Sequence, residues 1–544
     1  MALWRPVPCF RFRLPSSSSL VLSLINPKPF STSSCSEGEE ECDFDHEEAV
    51  SLKQQPVIPI PRSPFVDRFY SVIQDHHRRT LGLNPNPSSP SSSSSAHIPN
   101  LSREFSQIAP PSISPSVVAH TIQRSAQLRH GIPWPQTLAF FKWASDHPGF
   151  AADADGAATA YCEAVDLLGK VRQFDLAWGL IDAMRARGIP VVANVFLALV
   201  RRYARAGLAA EAVHTFNRME DYGCVPHSFV FASVIGVLAK KRFAEAAQSF
   251  FDGLNHKFRP DVVIYSALIH GWCRVHRIEE AERVFREMKE AGIQPNVYTY
   301  SCVIDGLCRS GRIDRGYDVF REMVEVGCAP NAATFNSLMR VHVKADQTEK
   351  ALQVHNQMKR LSCEPDAITY NYLIEAHCRA GNFDNAMKAL NQMVAKGCPP
   401  NASSFNPLFQ SVFKAKDVNG AHRLFSKMKD VGCKPNTVTY NILMRMFSET
   451  RSTDMVMKMK RDMDENGCEP NVNTYRILIS MFCSMGHWNR AYKFFREMLE
   501  EKCLKPALPV YNMVLEQLRK AGQVEKHEEL VEKMVARGFV TRPL

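Results

Sequence analysis

The stretch AITYNYLIEAHCRAGNFDNAMKALNQMVAKGCPPN, residues 367–401, recurs in outline on both sides of itself. The next two windows, 402–436 and 437–471, again place an aromatic at position 4 (Phe405, Tyr440), Met at position 27 (Met428, Met463) and Pro at position 34 (Pro435, Pro470). Working outward, Pro260, Pro295, Pro330, Pro365, Pro400, Pro435 and Pro470 stand 35 residues apart, bracketed by Pro226 and Pro506 at 34 and 36. Internal periods of this size are the signature of a repeat array. Eleven units follow: 158–192, 193–227, 228–261, 262–296, 297–331, 332–366, 367–401, 402–436, 437–471, 472–507 and 508–542. Position 4 is aromatic in every unit, from Tyr161 to Tyr511, and position 27 is Met in all but one, where Leu254 stands.

One unit has the periodicity of a helical hairpin. In 332–366, Phe335, Leu338 and Met339 fall at i, i+3 and i+4, one face of a first helix. Ala351, Val354 and Met358 supply the facing stripe of a second, and the small Ala lets the two approach closely. Gly292 in 262–296 sits where a left-handed cap ends a helix, and the proline beyond prevents its continuation. A hairpin cannot bury its apolar face alone, so the units must stack, and 544 residues are accommodated in a solenoid, not in one core.

Hydrophobic residues at 45% and charged residues at 22% fit a folded protein, and no run approaches the roughly 20 apolar residues of a membrane span. The net charge of +10 favours an anionic partner. Sixteen cysteines raise the question of zinc or disulfides, but no Cys-x-x-Cys occurs, and Cys328, Cys363, Cys398, Cys433 and Cys468 recur once per unit, too far apart to bridge. They are expected to be small half-buried residues of a reducing compartment. No metal or cofactor is expected.

Residues 1–36 carry Arg5, Arg11, Arg13 and Lys28, many serines and no acid, the composition of a mitochondrial transit peptide, with chloroplast import the alternative. Eight acids then fall between Glu37 and Glu48, and a Pro/Ser-rich tract culminates in 85–95. Residues 37–105 read as a disordered arm with a short helix near 64–79, and 106–157 as a degenerate helical cap over the open end of the array.

The phrases ITYNYLI (368–374) and VTYNILM (438–444), with Gly-Cys-x-Pro-Asn endings at 397–401 and 432–436, resemble the pentatricopeptide repeat family of plant organelles, and the near-constant 35-residue length resembles its pure-repeat (P-type) subclass. The resemblance implies an all-α, right-handed superhelical solenoid of about eleven 35-residue helix-turn-helix repeats. It also implies a concave groove that reads single-stranded RNA one base per repeat through positions 5 and 35. Those columns hold Ser266 with Asn296, Ser301 with Asn331, Asn336 with Asp366, Asn371 with Asn401, Asn406 with Asn436, and Asn441 with Asn471. Asn offers donor and acceptor, Ser a hydroxyl and Asp acceptors alone, so such pairs can match a base edge. The rival reading is helix capping, natural for these residue types at position 35. Position 13 is basic at Lys240, Arg274, Arg309, Lys344, Arg379 and Lys414, a ladder fit to follow phosphates or, more simply, to cap helix C-termini.

The family's pairing rules translate the six pairs into a core target near 5′-AAUYYY-3′, Y being a pyrimidine. The outer pairs Cys162/Val192, Leu197/His227, Ala232/Asp261 and Arg476/Ala507 depart from the rules and specify no base. With no Cys-x-x-Cys for a deaminase zinc site and the sequence ending two residues past the last repeat, no enzyme activity is expected. The expected role is stabilisation, processing, splicing or translation of an organellar transcript by a monomer, with RNA-processing or ribosomal proteins as further partners. A protein-binding scaffold, such as a factor on the mitochondrial ribosome, is the alternative.

Overall fold

The computed structural model describes residues 63–82, 98–110, 112–128, 131–147 and 149–540, all within one compact unit spanning Ala49–Leu544. The expected transit peptide, and residues 37–62 and 83–97 of the expected arm, lie outside the described residues. Among the described residues every regular element is a helix: 26 α-helices in tandem, with short 3-10 turns at Phe150–Ala152 and Glu220–Tyr222 and a π turn at Glu497–Glu501. The all-α solenoid expected from the sequence is therefore the fold.

Through the middle of the array each 35-residue frame opens with a 13-residue helix, such as Val262–Arg274, Val297–Arg309 and Ala332–Lys344. A second 13-residue helix follows after three residues, such as Ile278–Glu290, Ile313–Glu325 and Thr348–Arg360. The conserved-looking columns are the glue. The position-4 aromatics Tyr300, Phe335, Phe405, Tyr440 and Tyr475 and the position-27 residues Met288, Met323, Met358, Met393 and Met428 are essentially inaccessible to solvent. Neighbouring units also lock edge-to-face: Phe285 packs on Tyr300 with centroids 5.6 Å apart, and Phe320 on Phe335 at 5.4 Å.

Through the middle of the array, from Ile278–Glu290 to Thr453–Glu465, the second helices end in Schellman motifs. Gly292 takes φ 73°, its N–H bonds to Lys289 O at 2.9 Å, and Ile293 N–H bonds to Met288 O at 3.0 Å. In the next five units the residue equivalent to Ile293 is the recurring cysteine, with Cys328 N–H on Met323 O and Cys398 N–H on Met393 O. Thus the cysteine column is a capping column, and all these thiols are free. The longer unit 472–507 accommodates its extra residue in the π turn Glu497–Glu501, which widens one turn of the second helix.

The N-terminal region corrects part of the sequence reading. The helix expected near 64–79 is there as Pro64–Gly82, but Ile98–Ile108, read as part of a disordered arm through residue 105, is a helix too, and both join Pro115–Ala126 and Trp134–Ser145 in one cluster. Val66, Phe69 and Ile73 form an i, i+3, i+7 stripe that is buried, and Phe69 meets Phe140 at 4.9 Å while Phe105 meets it at 5.1 Å. Arg124 pairs with Asp67 and lies over Tyr70, and Gln123 Nε2 donates to Glu163 Oε1 at 2.9 Å in the first unit. That unit also opens earlier than its frame, at Ala154, because Asp153 caps Gly156 N–H.

Candidate nucleic-acid interface

Position 35 stands immediately before the first helix of the following unit and is its N-cap. The side-chain Oδ1 accepts from the backbone N–H three residues on: Thr299 to Asn296 at 2.9 Å, Thr334 to Asn331 at 3.1 Å, Thr369 to Asp366 at 2.7 Å, Ser404 to Asn401 at 3.2 Å, Thr439 to Asn436 at 2.9 Å and Thr474 to Asn471 at 3.0 Å. Capping, the rival reading of this column, is therefore realised in all six. It occupies the oxygen of each side chain and leaves the amide nitrogen of each Asn, or the second carboxylate oxygen of Asp366.

Position 5 lies one turn into the first helix of its own unit, and the stacking carries it to the cap at the unit's far end. Asn336 Nδ2 donates to both oxygens of Asp366 at 3.0 and 3.1 Å, Asn441 Nδ2 to Asn471 Oδ1 at 3.2 Å, and Ser301 Oγ to Asn331 Oδ1 at 3.4 Å. In these three of the six pairs the columns thus meet directly across 30 residues of chain, which capping alone does not require.

A third member of each group escaped the sequence reading. It is the hydroxyl at position 3 of the following unit: Thr299, Thr334, Thr369, Ser404, Thr439 and Thr474, every one buried at 0% exposure. Each lies against position 5 of the unit before, at 2.6 Å from Ser266 Oγ, 2.8 Å from Ser301 Oγ, and 2.7, 2.6, 2.7 and 2.8 Å from the Oδ1 atoms of Asn336, Asn371, Asn406 and Asn441. The column was visible as a run of Thr and Ser 35 residues apart, but at the third residue of a helix such residues are ordinary. Behind the four outer pairs the same place holds Val195, Val230, Ile264 and Val510, all buried and none able to donate.

These bonds decide what each pair can offer a ligand. An Asn at position 5 has its oxygen on a hydroxyl and an Asn at position 35 has its oxygen on a helix N-terminus, so the amide nitrogens are the groups left over; Asn336, fully buried, spends its own on Asp366, and Ser266 is buried as well. The amide orientations follow from this network, since only an oxygen can accept in those places. Asp366 alone among the six caps adds a negatively charged acceptor.

The basic ladder is only partly at liberty. All six residues are the last of their first helices, where a cation is favoured by the helix dipole. Arg309 Nε bonds Asp305 at 2.8 Å, and Arg379 bonds Asp346 and Glu375, each at 2.9 Å. Lys240, Arg274 and Lys344 are engaged with neighbours too. The thiols near the first helices are chemically quiet, since burial pushes Cys302 and Cys308 each up to about 12. No described helix is long and apolar enough to cross a membrane.

A model of the PPR repeat family matches residues 260–309, 301–343, 330–379, 365–412, 400–449 and 435–484; a PPR repeat model matches 473–503 and 509–539, and a pentatricopeptide repeat domain model 179–241. Together they span more than half of the chain. A mitochondrial pentatricopeptide repeat-containing protein of Arabidopsis thaliana is 33% identical over 136 residues, 25% of this chain and 25% of the relative. Another is 29% identical over 257 residues, 44% of this chain and 41% of the relative. The alignments thus span less than half the length of these relatives. Among solved structures, the pentatricopeptide repeat protein PPR10 in complex with an 18-nt psaJ RNA element aligns with TM-score 0.40 and 18% identity, over 88% of each chain.

Proposed function

Because the chain belongs to the pentatricopeptide repeat family, we infer that it is a single-stranded RNA-binding protein of a plant organelle that recognises a short sequence through its six middle repeats. The observation that carries this reading is the consecutive set of six polar pairs, Ser266/Asn296 to Asn441/Asn471, each gathered around the hydroxyl at position 3 of the following repeat. Outward N–H groups from an Asn/Asn pair suit the O2 and N3 acceptors of cytosine or the carbonyls of uracil. In the Asn336/Asp366 pair the carboxylate can accept the N3–H of uracil. A Ser/Asn pair leaves one amide donor for N1 of adenine. The proposed core is 5′-AAUYYY-3′, and the ladder from Lys240 to Lys414 supplies charge along the backbone.

The proposed action is passive: bound RNA is shielded from nucleases or held unfolded for other machinery, without catalysis. Repeats 158–542 bear this function and residues 1–36 the address, which a fluorescent fusion of those residues would place in mitochondria; targeting to chloroplasts would correct it. The deciding experiment measures binding of the chain to AAUYYY-containing and scrambled oligomers across a salt series. Selective binding that weakens as salt rises supports the reading. Equal affinity for scrambled RNA refutes base recognition, and absence of binding favours a protein-binding scaffold.

A further inference from the structure

We propose that the buried hydroxyl at position 3 of each following repeat is a specificity-determining positioning residue, which sets the face that the position-5 side chain turns to a nucleobase. The inference rests on the base-reading function proposed above. It concerns Thr299, Thr334, Thr369, Ser404, Thr439 and Thr474, none of which would itself touch RNA.

A hydroxyl has one proton, and at Ser404, Thr439 and Thr474 the shorter distance favours giving it to position 5. In the four Asn-bearing repeats Oγ lies closer to the position-5 oxygen than to the position-35 oxygen: 2.7 against 2.8 Å at Thr369, 2.6 against 3.3 Å at Ser404, 2.7 against 3.0 Å at Thr439 and 2.8 against 3.1 Å at Thr474. At the same four residues, the oxygen in turn accepts from the backbone N–H of position 35, at 3.3, 3.2, 3.4 and 3.1 Å. One hydroxyl therefore ties the backbone of one reading residue to the side chain of the other. An amide turned the other way would bring its oxygen toward the capping oxygen, which Asn336 and Asn441 instead meet with Nδ2. The hydroxyl and the cap together leave one orientation, with Oδ1 on the hydroxyl and Nδ2 turned away from it.

The distribution along the chain points the same way. Hydroxyls stand behind the six pairs that obey the pairing rules, and Val195, Val230, Ile264 and Val510 behind the four that do not. Packing does not demand this, because both kinds of residue are buried in the same place. A purely capping role does not demand it either, since Asp261 caps Ile264 N–H at 3.0 Å with no hydroxyl present.

Thr439→Val tests it on the pair Asn406/Asn436, which reads the fifth nucleotide. Valine keeps the shape, and the cap on the residue-439 N–H survives because it needs only the backbone. Affinities are measured for the four oligomers that differ at the fifth nucleotide and for controls varied at the third. The expected result is a loss of roughly tenfold in pyrimidine-over-purine discrimination at the fifth position, the equivalent of one hydrogen bond. Discrimination at the third position is retained, and Thr439→Ser restores the fifth. Uniform weakening toward every oligomer, with discrimination intact, assigns Thr439 to folding alone and overturns the inference. A wild-type chain that accepts all four bases equally at the fifth position overturns the base-reading function itself.

Discussion

Replacing Asn331 by Asp exchanges an amide for a carboxylate at a place where the fold uses only one oxygen. That oxygen accepts Thr334 N–H at 3.1 Å and faces the Thr334 hydroxyl at 3.0 Å, and a carboxylate can do both. Asp at a helix N-terminus even gains about 0.3–1 kcal/mol from the dipole, so thermal stability should hold or rise slightly. The outward group changes completely. In the proposed pairing the Asn331 amide donates to N1 of adenine; a carboxylate would meet that lone pair with its own and would instead accept from N1–H and N2–H of guanine. A hydrogen bond to a charged group is worth about 1.5–3 kcal/mol, so the preference at the second nucleotide should swing from A toward G by roughly 10- to 100-fold. Fluorescence anisotropy with AAUYYY and AGUYYY oligomers reads this directly, with melting temperatures of both proteins as the control for folding. An unchanged preference, in a variant that melts normally and still binds RNA, would refute the assignment of position 35 as anything but a cap.

Other consequences of the structure are open to measurement. Gly397 holds φ 73° with nothing near a built Cβ, so Gly397→Ala carries only the conformational penalty; urea denaturation should show a loss of about 1 kcal/mol, and no loss would deny the left-handed cap. Lys414, which ends its first helix, should lower the log K against log salt slope by about 0.7 when changed to Ala, as one phosphate contact on a single strand does. Arg309→Ala should change the slope less, because Asp305 already holds that guanidinium, and equal effects would remove the ladder from the RNA. His355 is 7% exposed and its Nδ1 has no hydrogen-bond partner, and burial, with lesser contributions from Lys359 and His377, pushes its pKa down to about 4. The unfolded chain takes up a proton near pH 6.5 that the folded chain refuses until about 4, so stability falls as pH drops through that window. His355→Leu should melt with a smaller drop between pH 7 and 5 than the wild type; an identical drop would locate the acid sensitivity elsewhere.

The helical hairpins were legible because periodicity is a local signal: the aromatic at position 4 and Met at position 27 recur where burial requires them. The six polar pairs were legible as columns, since Asn, Ser and Asp at two fixed places invite a chemical explanation, and the base-reading role proposed for them rests on those columns. What a linear reading could not supply was contact between residues 33 apart, such as Thr439 and Asn406, where each looks unremarkable by itself and only stacking joins them. The helix Pro64–Gly82 was underrated for a different reason. Its stripe of Val66, Phe69 and Ile73 stands between Pro/Ser-rich tracts, and its partners Phe105 and Phe140 lie beyond one of them.

The division of labour between atoms of one side chain has a further consequence. At the five Asn caps Oδ1 belongs to the fold and the amide nitrogen to the proposed ligand, as with Asn436, whose Oδ1 receives both the N–H and the hydroxyl of Thr439. Exchange between Asn and Asp there alters the outward group from donor to acceptor without disturbing the cap. A change at position 5 is similarly buffered if the new side chain offers an oxygen to the hydroxyl, as Ser301 does to Thr334 at 2.8 Å and Asn406 to Thr439 at 2.7 Å. Position 3 has no such freedom, because its one hydroxyl serves two residues at once. The proposed recognition could therefore vary from repeat to repeat at positions 5 and 35 while the hydroxyl stays constant. That pattern separates the six middle repeats, with Thr or Ser behind every pair, from the outer ones, where Val or Ile stands in its place.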